Sequence, residues 1–246
     1  MKLAIISGVI LFLSLAGCAP APQRLTPLDS EKIGVAFLID KHPKFVYIGT
    51  TIFNIREYPR DDIDWEIEAH ALATIKHDLL AKPGYTVKVI APSDLLTNDR
   101  LDLVESSGFN GYRLKRDVEA EFVRLAREDK LDALIVIRPY RGQVQENVSV
   151  DADGYGLYTH CFLMFCNALP LANETVDVFD MHPPRLAGWD RVESIYNWTN
   201  TKISVNFKFD SGWGNLPESE INRVKDAVLK HLDDQIHSAL LVSGLK

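Results

Sequence analysis

The sequence predicts a single α/β (α+β) domain on a mixed sheet, with an antiparallel-rich second half and about three main helices, one of them C-terminal. Three observations predict it. Up to Ile137, apolar runs of strand length alternate with segments at helical spacing, the pattern of helices laid on a sheet. From Val144 to Phe209 only strand-like runs follow, punctuated by Gly, Asn-Glu and Pro183-Pro184. From Pro217 onward, Ile221, Val224, Val228, Leu232, Ile236 and Ala239 recur at helical spacing until Gly244.

The elements follow in order. Ile33 to Ile39 is a short β-branched run and reads as a buried strand; Lys41-His42-Pro43 is a turn, and Phe45 to Ile55 reads as the second arm of a hairpin. Pro59 and Asp61-Asp62 open a helix whose apolar face is Trp65, Ala69, Leu72, Ile75 and Leu79, stopped by Pro83-Gly84. Thr86 to Ile90 alternates as a strand, and Asn98 to Ser107 reads as a short helix ended by Gly108. Leu114 to Lys130 forms a stronger helix with Val118, Phe122, Leu125 and Ala126 on one face. Leu131 to Ile137 is a buried strand, and Val144–Val150, Tyr155–Phe165, Thr175–Asp180 and Ile203–Phe209 are the later ones. Pro217 suits the first turn of the last helix.

Composition narrows the function classes. The 246 residues are 46% hydrophobic and 25% charged, which is globular rather than disordered composition. Lys+Arg number 27 against 34 Asp+Glu, a net charge of −7, so no clustered basic footprint for nucleic acid is expected.

The amino terminus reads as an address. Lys2 precedes an apolar run from Leu3 to Leu15 that is shorter than the roughly 20 residues a spanning helix needs, and small residues follow it. Leu15-Ala16-Gly17-Cys18 then resembles the lipobox of bacterial lipoproteins. That resemblance implies cleavage after Gly17 and a diacylglycerol thioether plus an amide-linked acyl chain on Cys18, anchoring the chain to the membrane. A single acyl chain holds a protein only marginally, whereas two or more anchor it stably. With Ala19 rather than Asp after the cysteine, the family's sorting rule implies the outer membrane, facing the periplasm. Residues 1–17 are thus the expected signal, 18–30 a tether extended by Pro20, Pro22 and Pro27, and 31–246 the periplasmic domain.

The Leu131–Ile137 run and the Thr175–Asp180 strand also resemble the periplasmic α/β domains of curli-secretion and penicillin-binding-protein-activator lipoproteins. The resemblance implies a hairpin, two helices and a sheet closed by a C-terminal helix; it does not transfer function.

Of three cysteines, the anchor leaves Cys161 and Cys166, an even pair in an oxidising compartment. In one continuous strand their Cα atoms would stand roughly 16 Å apart on opposite faces, beyond any disulfide. A disulfide therefore demands that the chain reverse between them, with Gly154–Tyr158 and Leu171–Asp180 as the arms. Such a tip would present Phe162, Leu163, Met164 and Phe165 as a partner contact. The other reading, and the commoner arrangement, is a core segment with both thiols buried and inert.

Other constellations are weaker. Glu66, His70 and His77 share one side of the first helix, but the two histidines lie two turns apart, so a solvated polar face is expected rather than a metal site. His42, His160, His182, His231 and His237 form no ligand spacing. No phosphate loop, nucleophile elbow or His-Glu-x-x-His occurs, and no cofactor is expected. The sequence therefore reads as a lipid-anchored envelope protein that binds a protein partner. A periplasmic hydrolase assembled from scattered residues is the first alternative, and a glycan-binding module using Trp189, Trp198 and Trp213 the second.

Overall fold

The computed structural model describes residues 32–48, 55–80, 84–93, 96, 102–106, 112–145, 148–162, 165–190, 203–205 and 216–246. The strands are β1 (Lys32–Phe37), β2 (Lys44–Ile48), β3 (Ile55–Pro59), β4 (Thr86–Val89), β5 (Val104–Ser106), β6 (Tyr112–Leu114), β7 (Ala133–Pro139), β8 (Gly142–Gln145), β9 (Val148–Ala152), β10 (Gly154–Phe162), β11 (Phe165–Met181), β12 (Pro184–Asp190) and β13 (Ile203–Val205). The helices are α1 (Ile67–Leu79), α2 (Arg116–Glu128) and α3 (Glu218–Ser243). This is the mixed α/β domain the patterning predicts. Among the described residues no helix is long and apolar enough to cross a membrane.

Nine strands share one sheet, in the order β3-β2-β10-β11-β7-β1-β4, with β12 and β13 both paired to β11. Strand alternation divides its side chains between two large cores, and Val46, Ile48, Ala152, Tyr158 and Leu171 form a third, smaller one. Ile33, Val35 and Phe37 of β1, with Ile135 and Ile137 of β7, face one cluster; Ala36, Leu134 and Val136 face the other. The first cluster is covered by α1 through Ile67, Ala71, Ile75 and Leu79, and by α3 through Val224, Val228, Leu232, Ile236 and Ala239. The second is covered by α2 through Val118, Phe122 and Leu125, with Phe122 edge-on to Phe179 of β11 at 4.9 Å between ring centres. Burying one such side chain is worth about 2 kcal/mol, which is why these helices hold their faces to the sheet.

The sheet is joined along β11, 17 residues long. Its first half, up to Asn173, pairs antiparallel with β10; its second half, from Glu174, pairs antiparallel with β7. The segment between β7 and β10 folds out as a separate two-stranded arm, β8 with β9. The arm leaves and returns where Asn173 lies. The buried Asn173 side chain donates from Nδ2 to the carbonyls of Gly142 (3.1 Å) and Ala152 (2.9 Å), tying both feet of the arm to β11.

A close approach fixes β10 against β2. Gly156 pairs with Lys44 and sits at φ +143°, and a Cβ there would lie 1.9 Å from the Lys44 carbonyl oxygen. Only glycine admits that contact, because backbone cannot swing aside as a side chain does. An ion pair from Lys44 to Asp153 seals the same corner.

Several local expectations are corrected. Lys44–Ile48 is not the return arm of β1: β1 is parallel to β7, β2 is parallel to β10, and β7 and β10 both run antiparallel to β11. The chain therefore runs on from β1 into β2 in the same direction, and β2 instead pairs antiparallel with β3. The first helix begins at Ile67, not at Asp61-Asp62, because Asp64 Oδ1 accepts the Glu66 N–H at 2.8 Å while Glu66 holds a left-handed φ of 53°. Its buried face is Ile67, Ala71, Ile75 and Leu79, so Ala69 is exposed and Trp65 is buried ahead of the helix. Residues 104–106, expected as helix, form β5 and pair with β6. The Pro183-Pro184 break is a turn into β12, a strand the sequence reading omits.

Replacing Gly156 by Ala should destabilise the domain by about 3 kcal/mol or more, since strain and clash act on backbone. Asn173→Ala should lose about 2 kcal/mol by removing its bonds to the buried Ala152 carbonyl and the part-buried Gly142 carbonyl. Urea denaturation of both variants checks these values, and wild-type midpoints would refute the two contacts.

Candidate functional site

A helix–helix groove lies between α1 and α3. It has a volume of about 550 Å³ and is lined by His70, Ala73, Thr74, His77, Asp78, Asp233, Asp234 and His237. Helical spacing builds both walls: His70, Thr74, His77 and Asp78 rise along α1, and Asp233, Asp234 and His237 along α3. At one end, His70 Nε2 is 2.8 Å from Asp233 Oδ1, and the Thr74 hydroxyl donates to the same oxygen at 2.6 Å. An ionised carboxylate only accepts, so Nε2 carries the proton and Nδ1 is left as an acceptor in the neutral ring. At the other end, Asp78 takes Lys246 Nζ at 3.0 Å and His237 Nδ1 at 3.2 Å, and His77 stands 3.6 Å away. Burial pushes the Asp78 carboxyl up, but hydrogen bonding and charge from Lys246, with His237 and His77, hold it below its ordinary value.

This arrangement can offer an oriented imidazole and the carboxylates Asp78, Asp233 and Asp234 to a polar ligand. His70 and His77 do share the groove side of the helix, but His70 is drawn into a pair across the helices rather than left to solvent. Among the described residues, no group of three or more His, Cys, Asp or Glu is placed to hold a metal ion.

Beneath α3 lies a second polar feature. Glu174 is fully buried, with neither carboxyl oxygen bonded to another residue, and Gln235 donates from Nε2 to the Glu174 backbone carbonyl at 3.0 Å. Burial pushes the Glu174 carboxyl well above its ordinary value, offset in part by its own backbone N–H, so the site favours the uncharged form. One turn back on α3, burial pushes the His231 imidazole down to about 4; Asp234 opposes the shift and Lys230 adds to it. On the opposite sheet face, Arg138 Nε donates to Asp177 Oδ2 at 2.5 Å, both side chains at most 1% exposed.

The residues singled out from sequence fall in different places. Cys18, Leu163, Met164, Trp198 and Trp213 lie outside the described residues. The β10–β11 register sets Cys161 opposite Cys166 and Phe162 opposite Phe165, so the chain does reverse between the two cysteines. Trp189 packs on Tyr112 at 4.5 Å between ring centres with planes inclined 59°, so these two rings share no flat platform. Asp233, Thr74 and Glu174 went unread: the pairing of His70 with Asp233 joins positions 163 apart, which no local spacing signals.

No protein-family model matches the chain, and no curated protein matches it. Among solved structures, the PelC dodecamer from Paraburkholderia phytofirmans is 11% identical over 92% of this chain and 93% of its own, with a TM-score of 0.29. A leucine-to-methionine variant of that dodecamer is 12% identical over 93% of each chain, with a TM-score of 0.28. The hypothetical protein CT253 from Chlamydia trachomatis is 12% identical over 83% of this chain and 98% of its own, with a TM-score of 0.25. Scores this low carry no argument about this chain.

The two buried groups set opposite pH dependences. Folded Glu174 keeps a proton that the unfolded chain releases above 4.5, so its contribution falls as pH rises. Folded His231 refuses a proton that the unfolded imidazole takes up below 6.5, so stability falls from pH 6.5 toward 4, by up to about 3 kcal/mol. Denaturation at pH 4, 6 and 8 should show Glu174→Gln gaining on wild type as pH rises, and His231→Gln gaining as it falls. Parallel profiles would refute both assignments.

Proposed function

We propose that the protein is a bacterial envelope lipoprotein, held to the outer membrane by acyl chains on Cys18, whose periplasmic domain binds a protein partner. The observation that carries this reading is Leu15-Ala16-Gly17-Cys18, placed directly after a short apolar run and before a Pro-rich tether. The β10–β11 hairpin supports the contact surface, since its register pairs Phe162 with Phe165 at the last rung of the ladder, beyond the pairings with β2 and β13. Apolar residues at such an end are suited to docking on a partner.

Detergent phase partitioning tests the anchor. Wild type should enter the detergent phase and incorporate labelled palmitate; Cys18→Ala should stay in the aqueous phase with an unchanged melting temperature. A Cys18→Ala protein that partitions like wild type sinks the reading. Crosslinking in intact cells then tests binding: a recovered partner should be lost on replacing Phe162 and Phe165 by Ser.

A second reading, a periplasmic hydrolase, is favoured by one observation: His70 is oriented by Asp233 at the end of an open groove. If it holds, His70→Ala should abolish turnover of envelope-derived esters and glycosides while leaving the melting temperature within about 2 °C, as expected for a part-exposed pair. Unchanged turnover in His70→Ala, or no turnover in wild type, removes that reading.

A further inference from the structure

We propose that Cys161 and Cys166 form a cross-strand disulfide that closes the end of the β10–β11 hairpin. The argument starts from register. Nine consecutive pairs run without a shift from Gly154 opposite Asn173 to Phe162 opposite Phe165, and Cys161 opposite Cys166 is the last but one. Residues directly opposite in an antiparallel ladder have Cα atoms about 4.5 Å apart in a non-hydrogen-bonded pair and about 5.5 Å in a hydrogen-bonded one. Both separations fall inside the 4.4–6.8 Å that a disulfide spans, so the bond needs no backbone movement.

The register itself is fixed from elsewhere. A slip by one residue would send every side chain of β10 to the wrong face. Gly156 is locked against Lys44 by the close backbone approach, and Asn173 is locked by its two bonds to the arm. Both locks lie at the far end of the same ladder, so the pairing of the cysteines does not depend on the bond that would join them. Of the chain's three cysteines, Cys18 is taken by the anchor, leaving these two for each other.

The chemistry balances as thiol–disulfide exchange. One cysteine, as its thiolate, attacks the disulfide of an oxidant of the glutathione-disulfide or oxidoreductase class and forms a mixed disulfide. The other then displaces the oxidant's second sulfur. Two protons and two electrons leave the pair, and the oxidant departs as two thiols. The bond would hold the two strand ends together where the hairpin reaches past the last β2 pairing, at His160.

Formation in the cell rests on the exported, periplasmic reading, whereas the pairing itself does not, and the test separates them. Full-length protein is isolated from membranes after trapping with N-ethylmaleimide, and peptide mapping without reductant should recover residues 161 and 166 in one linked product. In parallel, the purified protein is reduced and then equilibrated with glutathione disulfide. Intramolecular oxidation should go to completion there, with a fall of about 5 °C in melting temperature on reduction. The Cys161→Ser, Cys166→Ser protein should melt like the reduced form and show no shift with reductant. Two free thiols, or glutathione adducts in place of the intramolecular bond in folded protein, overturn the disulfide. Closure in glutathione buffer with free thiols in the trapped cellular protein instead overturns the periplasmic location.

Discussion

The structure depends on the pairing of β11 with two different partners along its length. A strand of 17 residues runs roughly 56 Å, longer than any single neighbour in this sheet, so it has to be shared. Its first half belongs to β3-β2-β10 and its second to β7-β1-β4, and continuous backbone between Asn173 and Glu174 couples the two halves. The C-terminal helix reaches across this joint: α3 packs along β11 and touches β10 and β12, and α1 packs on α3. The hairpin end, the groove and the buried acid all inherit their positions from that one strand.

The polar groups in the interior lie at the same joint. Arg138 and Asp177 pair on one face of the sheet, and Glu174 lies on the other beneath α3. A buried ion pair gains little over an apolar substitute, yet removing one member is costly because the other is left charged in a poor solvent. Burial pushes the Glu174 carboxyl well above its ordinary value, which lowers that cost by favouring its uncharged form. Side chains of this kind tolerate few alternative registers, so they favour one pairing of β11 with β7 over its neighbours.

How much of this was legible follows residue by residue. The apolar run Ala133–Ile137 within Leu131–Ile137 reads as a strand buried on both faces, and β7 is buried throughout. Val118, Phe122 and Leu125 announce α2, and Pro217 and Gly244 bracket α3 at both ends. Tertiary context decided the rest. β2 looks like the return of β1 because adjacent short apolar runs usually pair; the direction of β10, more than a hundred residues away, overrides that. The start of β11 falls between the expected strands Tyr155–Phe165 and Thr175–Asp180, where no apolar alternation marks it. β12 hides behind Pro183 and Pro184. Of the site, the cysteine pair could be posed as an alternative from spacing alone, and the register supplies its geometry. The groove could not, since α1 and α3 come together through burial of residues such as Ile75 and Leu232 in one core and through the His70–Asp233 pair, none of which local spacing signals.

The tied feet of the β8–β9 arm carry a consequence for how this chain can change. The backbone departs after Pro139, opposite Glu174, and returns at Gly154, opposite the very next residue of β11. Topologically the arm is an insertion between two consecutive rungs of a single ladder. Its feet are fixed by Asn173, which holds the Gly142 and Ala152 carbonyls, and by Ala152, which is buried among Val46, Ile48, Tyr158 and Leu171. Natural variation, or an engineer grafting a new loop, would therefore have to keep both feet while remodelling the segment between them.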